Sequence, residues 1–171
     1  MQISKGVILT YLKSIPDEQG IFTELDRESW IENTDYTQWN VLNSNSLVFR
    51  DFHLHKKHFD YLEIIKGTAI LGLHDMRRDS PTFRLSAMVE LNESILGSLI
   101  IPPGVDNGFY FSEVSTHIKA VSEYWNLEDK LGCLFFEKQL NLDWTDRKQI
   151  LFLHDMNLST YEHLQQNSYP I

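Results

Sequence analysis

Arg50-Asp-Phe-His-Leu-His-Lys-Lys-His-Phe-Asp-Tyr-Leu-Glu-Ile-Ile-Lys-Gly67 places three histidines, an arginine and a carboxylate between two strand-like apolar runs. Alternate side chains of a strand share a face, so His53 and His55 point the same way, inward if this strand lines a barrel. Arg50 points the other way unless a bulge intervenes. The same residues also suit a polar hairpin edge, where charge discourages strand-to-strand pairing. The rest of the chain has to decide between a site and an edge.

Composition narrows the choice. With 171 residues, 42% of them hydrophobic, the chain is expected to form one globular domain over residues 1–171 with a substantial core. A net charge of -9 argues against a general nucleic-acid binder, since phosphate backbones require a basic face. A local basic pocket for a small phosphorylated ligand is compatible with that charge. The single Cys133 cannot form an internal disulfide, and the sequence has neither a signal peptide nor an apolar run long enough to span a bilayer. The expectation is a cytoplasmic protein with no membrane partner. Cys133 lies among Leu131, Leu134, Phe135 and Phe136, where a buried, inert thiol is expected.

Working outward, Gly6 to Leu12 has strand character, and Pro16 to Gly20 has turn character, with Gly20 free to take positive φ. A second extended segment begins at Ile21. Asp35 to Ser46 is rich in Asn, Ser, Thr and Gln and is expected to be a loop forming a wall of a polar pocket. Strand-like runs then follow closely: Leu47 to His55, Tyr61 to Ile65, Thr68 to Asp75, Phe83 to Leu91, Ser98 to Ile101, Gly108 to Phe111 and His117 to Trp125. Turn signals such as Lys66-Gly67 and Pro102-Pro-Gly104 separate most of them. Many short strands with frequent turns predict an all-β sandwich or barrel, the jelly roll being the common closed form. Near the C-terminus, Ser159-x-x-Glu162 has capping-box spacing and predicts a short helix over Leu158 to Gln166.

Two landmarks resemble the cupin motifs. His53-x-His55 followed by Asp60 and Gly67 is similar to the first, and Ile101-Pro-Pro-Gly-Val-Asp-Asn107 is similar to the second, with Asn107 where a histidine is usual. Asn is a poor replacement for an imidazole ligand, so no metal is expected. A longer resemblance runs to the dTDP-4-dehydrorhamnose 3,5-epimerases, which are cupin-type jelly rolls. It is carried by Asp17 to Glu24, Gln38-x-Asn40 with Ser44, Phe49-Arg-Asp-Phe-His53, Arg77-Arg-Asp-Ser-Pro-Thr-Phe83, Val89-Glu-Leu91, Ile101-Pro-Pro-Gly104, Glu123-Tyr124, Asp143-Trp144 and Asp155, in order and in register.

That resemblance implies an isomerase acting on a nucleotide-linked 4-keto-6-deoxy sugar at carbon 3, carbon 5 or both, in surface polysaccharide or deoxysugar biosynthesis. Protons beside a ketone are acidified but still need a base, a group that stabilises the enolate and an acid. By resemblance His53 is the base and Asp155 the carboxylate that orients it. Arg50 lies at the same site, and Gln38, Asn40, His55 and Asn107 are further substrate-binding positions. Lys119 stands where the family carries its acid tyrosine, and Tyr124 is a second candidate acid. The family pattern also implies a homodimer with N-terminal strand exchange, which makes Gln19, Phe22 and Glu24 ligand contacts across the interface. Arg50-x-x-His53-x-His55-Lys56 also resembles the dTDP-sugar 3,4-ketoisomerases, which use a histidine pair. Neither scheme needs a cofactor. A non-catalytic sugar-nucleotide-binding protein and, ranked behind it, a metal cupin using His53, His55 and Asp60 are the remaining alternatives.

Overall fold

Strand alternation and tight turns build the molecule as two facing sheets. The computed structural model describes residues 3–27, 35–124, 131–144 and 159–167. One sheet has the order β1-β9-β6-β11-β4, formed by Ile8–Tyr11, Gly97–Ile101, Asp60–Lys66, Ser115–Val121 and Gln38–Ser44. The other has the order β12-β5-β10-β7-β8, formed by Leu131–Cys133, Val48–Leu54, Val105–Phe111, Thr68–Asp75 and Ser86–Asn92. From β4 onward the chain changes sheet at every connection except the β7–β8 hairpin. The result is the all-β jelly-roll winding expected, in sandwich form. Among the described residues no ladder joins the edges of the two sheets into a closed barrel.

The inter-sheet core follows from strand periodicity. Leu62 and Ile64 of β6 and Leu99 and Ile101 of β9 meet Leu71, Leu73, Val89, Phe109 and Phe111 of the second sheet. Each such side chain, taken fully out of water, contributes on the order of 2 kcal/mol. Gly67 turns β6 into β7 with φ of 79°, and a Cβ there would lie 2.7 Å from Val114 O, so only glycine fits without displacing the β10–β11 turn. A second core lies outside the second sheet, where Phe49, Phe52 and Leu54 of β5 pack under Trp144, Leu140 and the helix α1, Tyr161–Asn167.

The Arg77-Arg-Asp-Ser-Pro-Thr-Phe83 run is an anchor for the chain's start. Arg77 forks onto Asp75 through Nε and Nη2, both at 2.8 Å, and Ser80 and Thr82 donate to the same carboxylate at 2.7 and 2.6 Å. Arg77 also donates to Lys5 O, and Lys5 N donates to Thr82 Oγ1, which ties the N-terminal segment to the sandwich. This knot occupies residues that read as the start of a strand at Phe83, and β8 begins instead at Ser86.

Two other expectations are corrected. Residues 38–44 are an edge strand, paired along its length with β11, and not a loop. Their polar composition arises because Gln38, Asn40 and Leu42 face a polar end of the sandwich while Trp39 and Val41 face outward, 49% and 67% exposed. The helix cap is Thr160 and not Ser159. Thr160 Oγ1 accepts from His163 N at 3.3 Å, while Ser159 is held in a parallel bridge with Cys133. Strands β2 (Ser14–Asp17) and β3 (Gly20–Thr23) form a separate two-stranded hairpin, turned by Asp17 Oδ1 accepting from Gln19 N and Gly20 N.

Candidate active site

The strand β5 carries the histidines, and an irregularity in its pairing decides which way its arginine faces. His53 pairs with Asn107 of β10 and Arg50 with Phe109, so three steps on β5 match two on β10. The extra residue is a β-bulge, which puts Arg50 on the same inward face as His53. Phe49 and Phe52 keep the opposite face, in the outer core. Arg50 is then held at the rim, its Nε donating to Ser44 Oγ at 2.8 Å and its Nη2 to Asn43 O at 3.2 Å. On the other side of β5, Gly132 pairs with His53, and a Cβ there would collide with Phe52 O and come within 3.4 Å of His53 Nδ1. Glycine at 132 therefore lets β12 close against the histidine strand.

Opposite β5, the first sheet supplies a lysine and a carboxylate. Asp60 opens β6 and is 2% exposed, and Lys119 Nζ lies 3.2 Å from Asp60 Oδ1. His55 Nε2 is 3.5 Å from Asp60 Oδ2 and His58 Nε2 is 3.6 Å from Oδ1. Those two contacts are too long to be good hydrogen bonds. The ring centroids of His55 and His58 are 4.1 Å apart, and those of His53 and His55 are 6.4 Å apart with the planes inclined by 30°. Asn107 Nδ2 is shared among Asp60 Oδ2, His53 O and Val105 O, each at 3.5 Å.

Burial and charge set the protonation states. Burial alone would raise the Asp60 pKa, but Lys119, His58 and His55 outweigh it and hold the carboxyl below the usual range. Burial drives His55 down to about 3 against the opposing pull of Asp60, so its ring is neutral and its contact with Asp60 is not an ion pair. His117, two residues before Lys119 on the same face, is lowered to about 4 by burial, with Arg50 and Lys119 adding to the effect. The interior end of the sandwich thus combines an anchored ammonium, a carboxylate and neutral imidazoles. Such a set can exchange protons with a ligand and stabilise a developing negative charge.

Most of the sequence candidates meet here. His53, His55, Lys119, Asn107 and Arg50 share the inward side, and Asn40 lies across from Lys119 on β4, its Nδ2 donating to Lys119 O at 3.3 Å. Gln38 Nε2 donates to Asn40 Oδ1 at 3.1 Å. Tyr124 is not gathered with them: β11 ends at Val121, and Tyr124 is 75% exposed beyond it. Gln19 and Phe22 sit on the hairpin, Phe22 61% exposed, and Glu24 follows it in a fork with Arg27. Asp155 lies outside the described residues. Three members of the cluster had been assigned no catalytic or substrate-binding role: Asp60 and His58, which belong to the opening histidine-carboxylate stretch, and His117. His58 follows two lysines and has the look of a surface turn, but the directly following Phe59 and the wholly buried start of β6 mark the point where the chain re-enters the core.

With this geometry in place, comparison with known proteins identifies the lineage. The family model for dTDP-4-dehydrorhamnose 3,5-epimerase matches residues 2–163. A dTDP-4-dehydrorhamnose 3,5-epimerase of Shigella flexneri is 24% identical over 160 residues, 88% of each chain. The same fold is found in an epimerase of Mycobacterium tuberculosis, at a TM-score of 0.88 and 20% identity over 95% of this chain and 87% of that one. It is found again in a Legionella pneumophila epimerase solved with dTDP-4-keto-L-rhamnose, at a TM-score of 0.82 and 23% identity over 90% and 87%. The chain belongs to the dTDP-4-dehydrorhamnose 3,5-epimerase family.

Proposed function

We propose that this family member epimerises a nucleotide-linked 4-keto-6-deoxy sugar at carbon 3, carbon 5 or both, for surface polysaccharide or deoxysugar synthesis in the cytoplasm, as a single domain over residues 1–171. The observation that carries the reading is the Lys119 ammonium held 3.2 Å from Asp60 on one sheet, facing the inward side of β5 that bears His53 on the other. A base and a proton donor on opposing sheets can work on opposite faces of a sugar ring. His53 takes the proton beside the ketone, with Asp155 orienting its ring. The electron pair moves to the carbonyl oxygen, where an ammonium stabilises the enolate. Lys119 returns a proton to the other face, and inversion is complete. Tyr124, exposed in the single chain, is the reserve donor.

Arg50 at the rim suits a phosphate oxygen, and Gln38, Asn40, His55 and Asn107 supply neutral hydrogen-bonding groups for the nucleotide and sugar. The Legionella relative was solved with a ligand of this class. The β2–β3 hairpin supports a homodimer with strand exchange. It stands apart from both sheets with Ile15, Ile21 and Phe22 51%, 74% and 61% exposed, a form that suits insertion into a second copy. In that assembly Gln19, Phe22 and Glu24 reach the partner's ligand, and a chain starting at Asp26 is expected to lose both dimerisation and ligand binding, read by sedimentation and calorimetry.

The neighbouring His53 and His55 rings, 6.4 Å between centroids on one strand, favour one second reading, a 3,4-ketoisomerase that passes a proton between histidines. Incubation with dTDP-4-keto-6-deoxyglucose in deuterium oxide separates the cases. Deuterium at carbon 3, carbon 5 or both with inverted product supports the epimerase, and movement of the ketone to carbon 3 supports the isomerase. Binding without any exchange would leave a non-catalytic sugar-nucleotide protein.

A further inference from the structure

We infer that Tyr61 and Glu63, on the outer face of the first sheet, form a latch on the chain segment behind the β2–β3 hairpin, closed while Glu63 carries a proton and released when it is ionised. Leu62 and Ile64 of β6 point into the inter-sheet core, so Tyr61 and Glu63 point away from it, and both are fully buried. Tyr61 Oη lies 2.8 Å from Leu25 O and 3.0 Å from Glu63 Oε2.

Proton counting sets the state of the carboxyl. A backbone carbonyl only accepts, and a phenol has one hydrogen. With that hydrogen on Leu25 O, the contact with Glu63 is a hydrogen bond only if the carboxyl donates. An ionised Glu63 only accepts, so it would take the phenol hydrogen and leave Leu25 O facing oxygen lone pairs.

The surroundings favour the proton. Glu63 Oε1 has no hydrogen-bond partner, and no basic side chain pairs with Glu63 among the described residues. Its cross-strand neighbours, Ser98 on β9 and Ile118 on β11, are uncharged. Asp26, beside Leu25, adds charge of the same sign, and the remaining titratable neighbour is Tyr36, its ring 5.6 Å from that of Tyr61. A bare buried carboxylate oxygen costs far more than the bare carbonyl of a neutral acid. Burial accordingly raises the Glu63 pKa against the pull of the Tyr61 hydrogen bond, and it raises that of Tyr61, which keeps the phenol a donor.

The latch matters for what it holds. Leu25 follows closely on the hairpin strand β3, whereas Tyr61 stands on β6 in the middle of a five-stranded sheet. When closed, the latch fixes the point at which the hairpin leaves the domain, so Tyr61 and Glu63 are positioning residues for Gln19, Phe22 and Glu24. That consequence rests on the strand exchange proposed above; the latch itself does not. Because the folded carboxyl titrates above its ordinary range, the latch is intact at low pH and is lost as pH rises through the raised value. Buried glutamates titrate as high as about 8–9.

The test uses the full chain without nucleotide sugar, so its outcome is independent of any epimerase activity. The infrared difference spectrum of wild type minus Glu63→Gln at about pH 6 should contain the carbonyl stretch of a protonated carboxylic acid. The glutamine amide can donate to Tyr61 Oη as the acid does, but it cannot ionise. Amide hydrogen exchange of residues 24–27 should therefore match in the two proteins at about pH 6 and run about tenfold faster in wild type at about pH 9. Tyr61→Phe should exchange faster than wild type already at the lower pH. Absence of the acid band, or a ratio of wild-type to variant exchange that does not change with pH, overturns the inference. If Glu63→Gln fails to fold, wild-type protection in Tyr61→Phe overturns it on its own.

Discussion

Two buried polar clusters occupy opposite faces of the second sheet, and they are built on opposite principles. On the outer face, beneath α1, His74 donates through Nδ1 to Ser86 Oγ at 2.7 Å and accepts at Nε2 from Tyr161 Oη at 3.0 Å. The Ser86 hydroxyl hydrogen goes to Leu140 O, which fixes the histidine as the Nδ1-protonated tautomer. Every polar atom of that run of hydrogen bonds is matched, although Asp106 Oδ1 on the same face is not. On the inner face His55, also buried, has no ring nitrogen so matched, and Asp60 is approached by four groups at 3.2 to 3.6 Å. Saturated short hydrogen bonds rigidify a fold, whereas loosely approached groups are ready to bind something. The contrast separates scaffold from site without any appeal to lineage.

Substitution of His53 should break the comparison most sharply. Loss of a general base costs roughly 10²- to 10⁴-fold in rate, so His53→Asn is expected to reduce deuterium exchange into the sugar by about that much. Nucleotide binding should be nearly intact, because most binding contacts lie away from the reacting carbon. Wild-type exchange in this variant would remove His53 from the chemistry.

Lys119→Met comes next. It should abolish inversion while sparing exchange of the proton reached by His53, and Lys119→Tyr should retain inversion. The methionine variant also leaves the Asp60 carboxylate buried without its cation. Breaking a fully buried pair costs about 3–5 kcal/mol, and a smaller loss, about 2 kcal/mol, is expected here because the lysine side chain is 24% exposed. Equal loss of exchange and inversion would point to binding or folding, and no loss of either would free Lys119 from any role.

On the outer face the pattern should reverse. His74→Phe removes the shared partner of Ser86 and Tyr161, and an orphaned buried hydroxyl costs about 1–3 kcal/mol. Urea unfolding should report that loss while exchange kinetics of the folded protein stay at wild-type values. A variant with normal stability and impaired exchange would mean that the outer cluster communicates with the site.

How much of this was legible beforehand follows the same division. The inter-sheet core and the turns were readable because apolar alternation and glycine positions are local signals, as at Leu62, Ile64 and Gly67. β4 was hidden because its inward side lines a polar pocket, so Gln38 and Asn40 carry none of the apolar pattern that marks a strand. The direction of Arg50 depended on a bulge, which no residue type in Phe49 to His53 announces. The Lys119–Asp60 pair joins two strands far apart in sequence, and only the jelly-roll winding makes them neighbours.

The smallest effect, and the one that separates the two faces by pH, concerns Asp106. Its carboxyl is fully buried on the outer face opposite His74, touched by Cys133 Sγ at 3.8 Å, and burial raises its pKa well above the ordinary value despite the hydrogen bonds from Cys133 and the backbone. A raised folded pKa means that the native state holds a proton the unfolded chain gives up above about pH 3.8. Its stabilising contribution is therefore complete below that pH and is lost as pH rises. His74 and His117, lowered to about 4, work the other way. Their contribution is complete above the ordinary histidine value of about 6.5 and is lost as pH falls toward 4. Asp106→Asn deletes the first dependence and keeps the second. The melting temperature of the variant minus that of the wild type should thus increase between pH 5 and pH 8, whatever constant offset the amide introduces. A difference that stays flat across that range would mean that Asp106 titrates in the folded protein as it does in the unfolded chain, and the outer cluster would no longer be a sealed one.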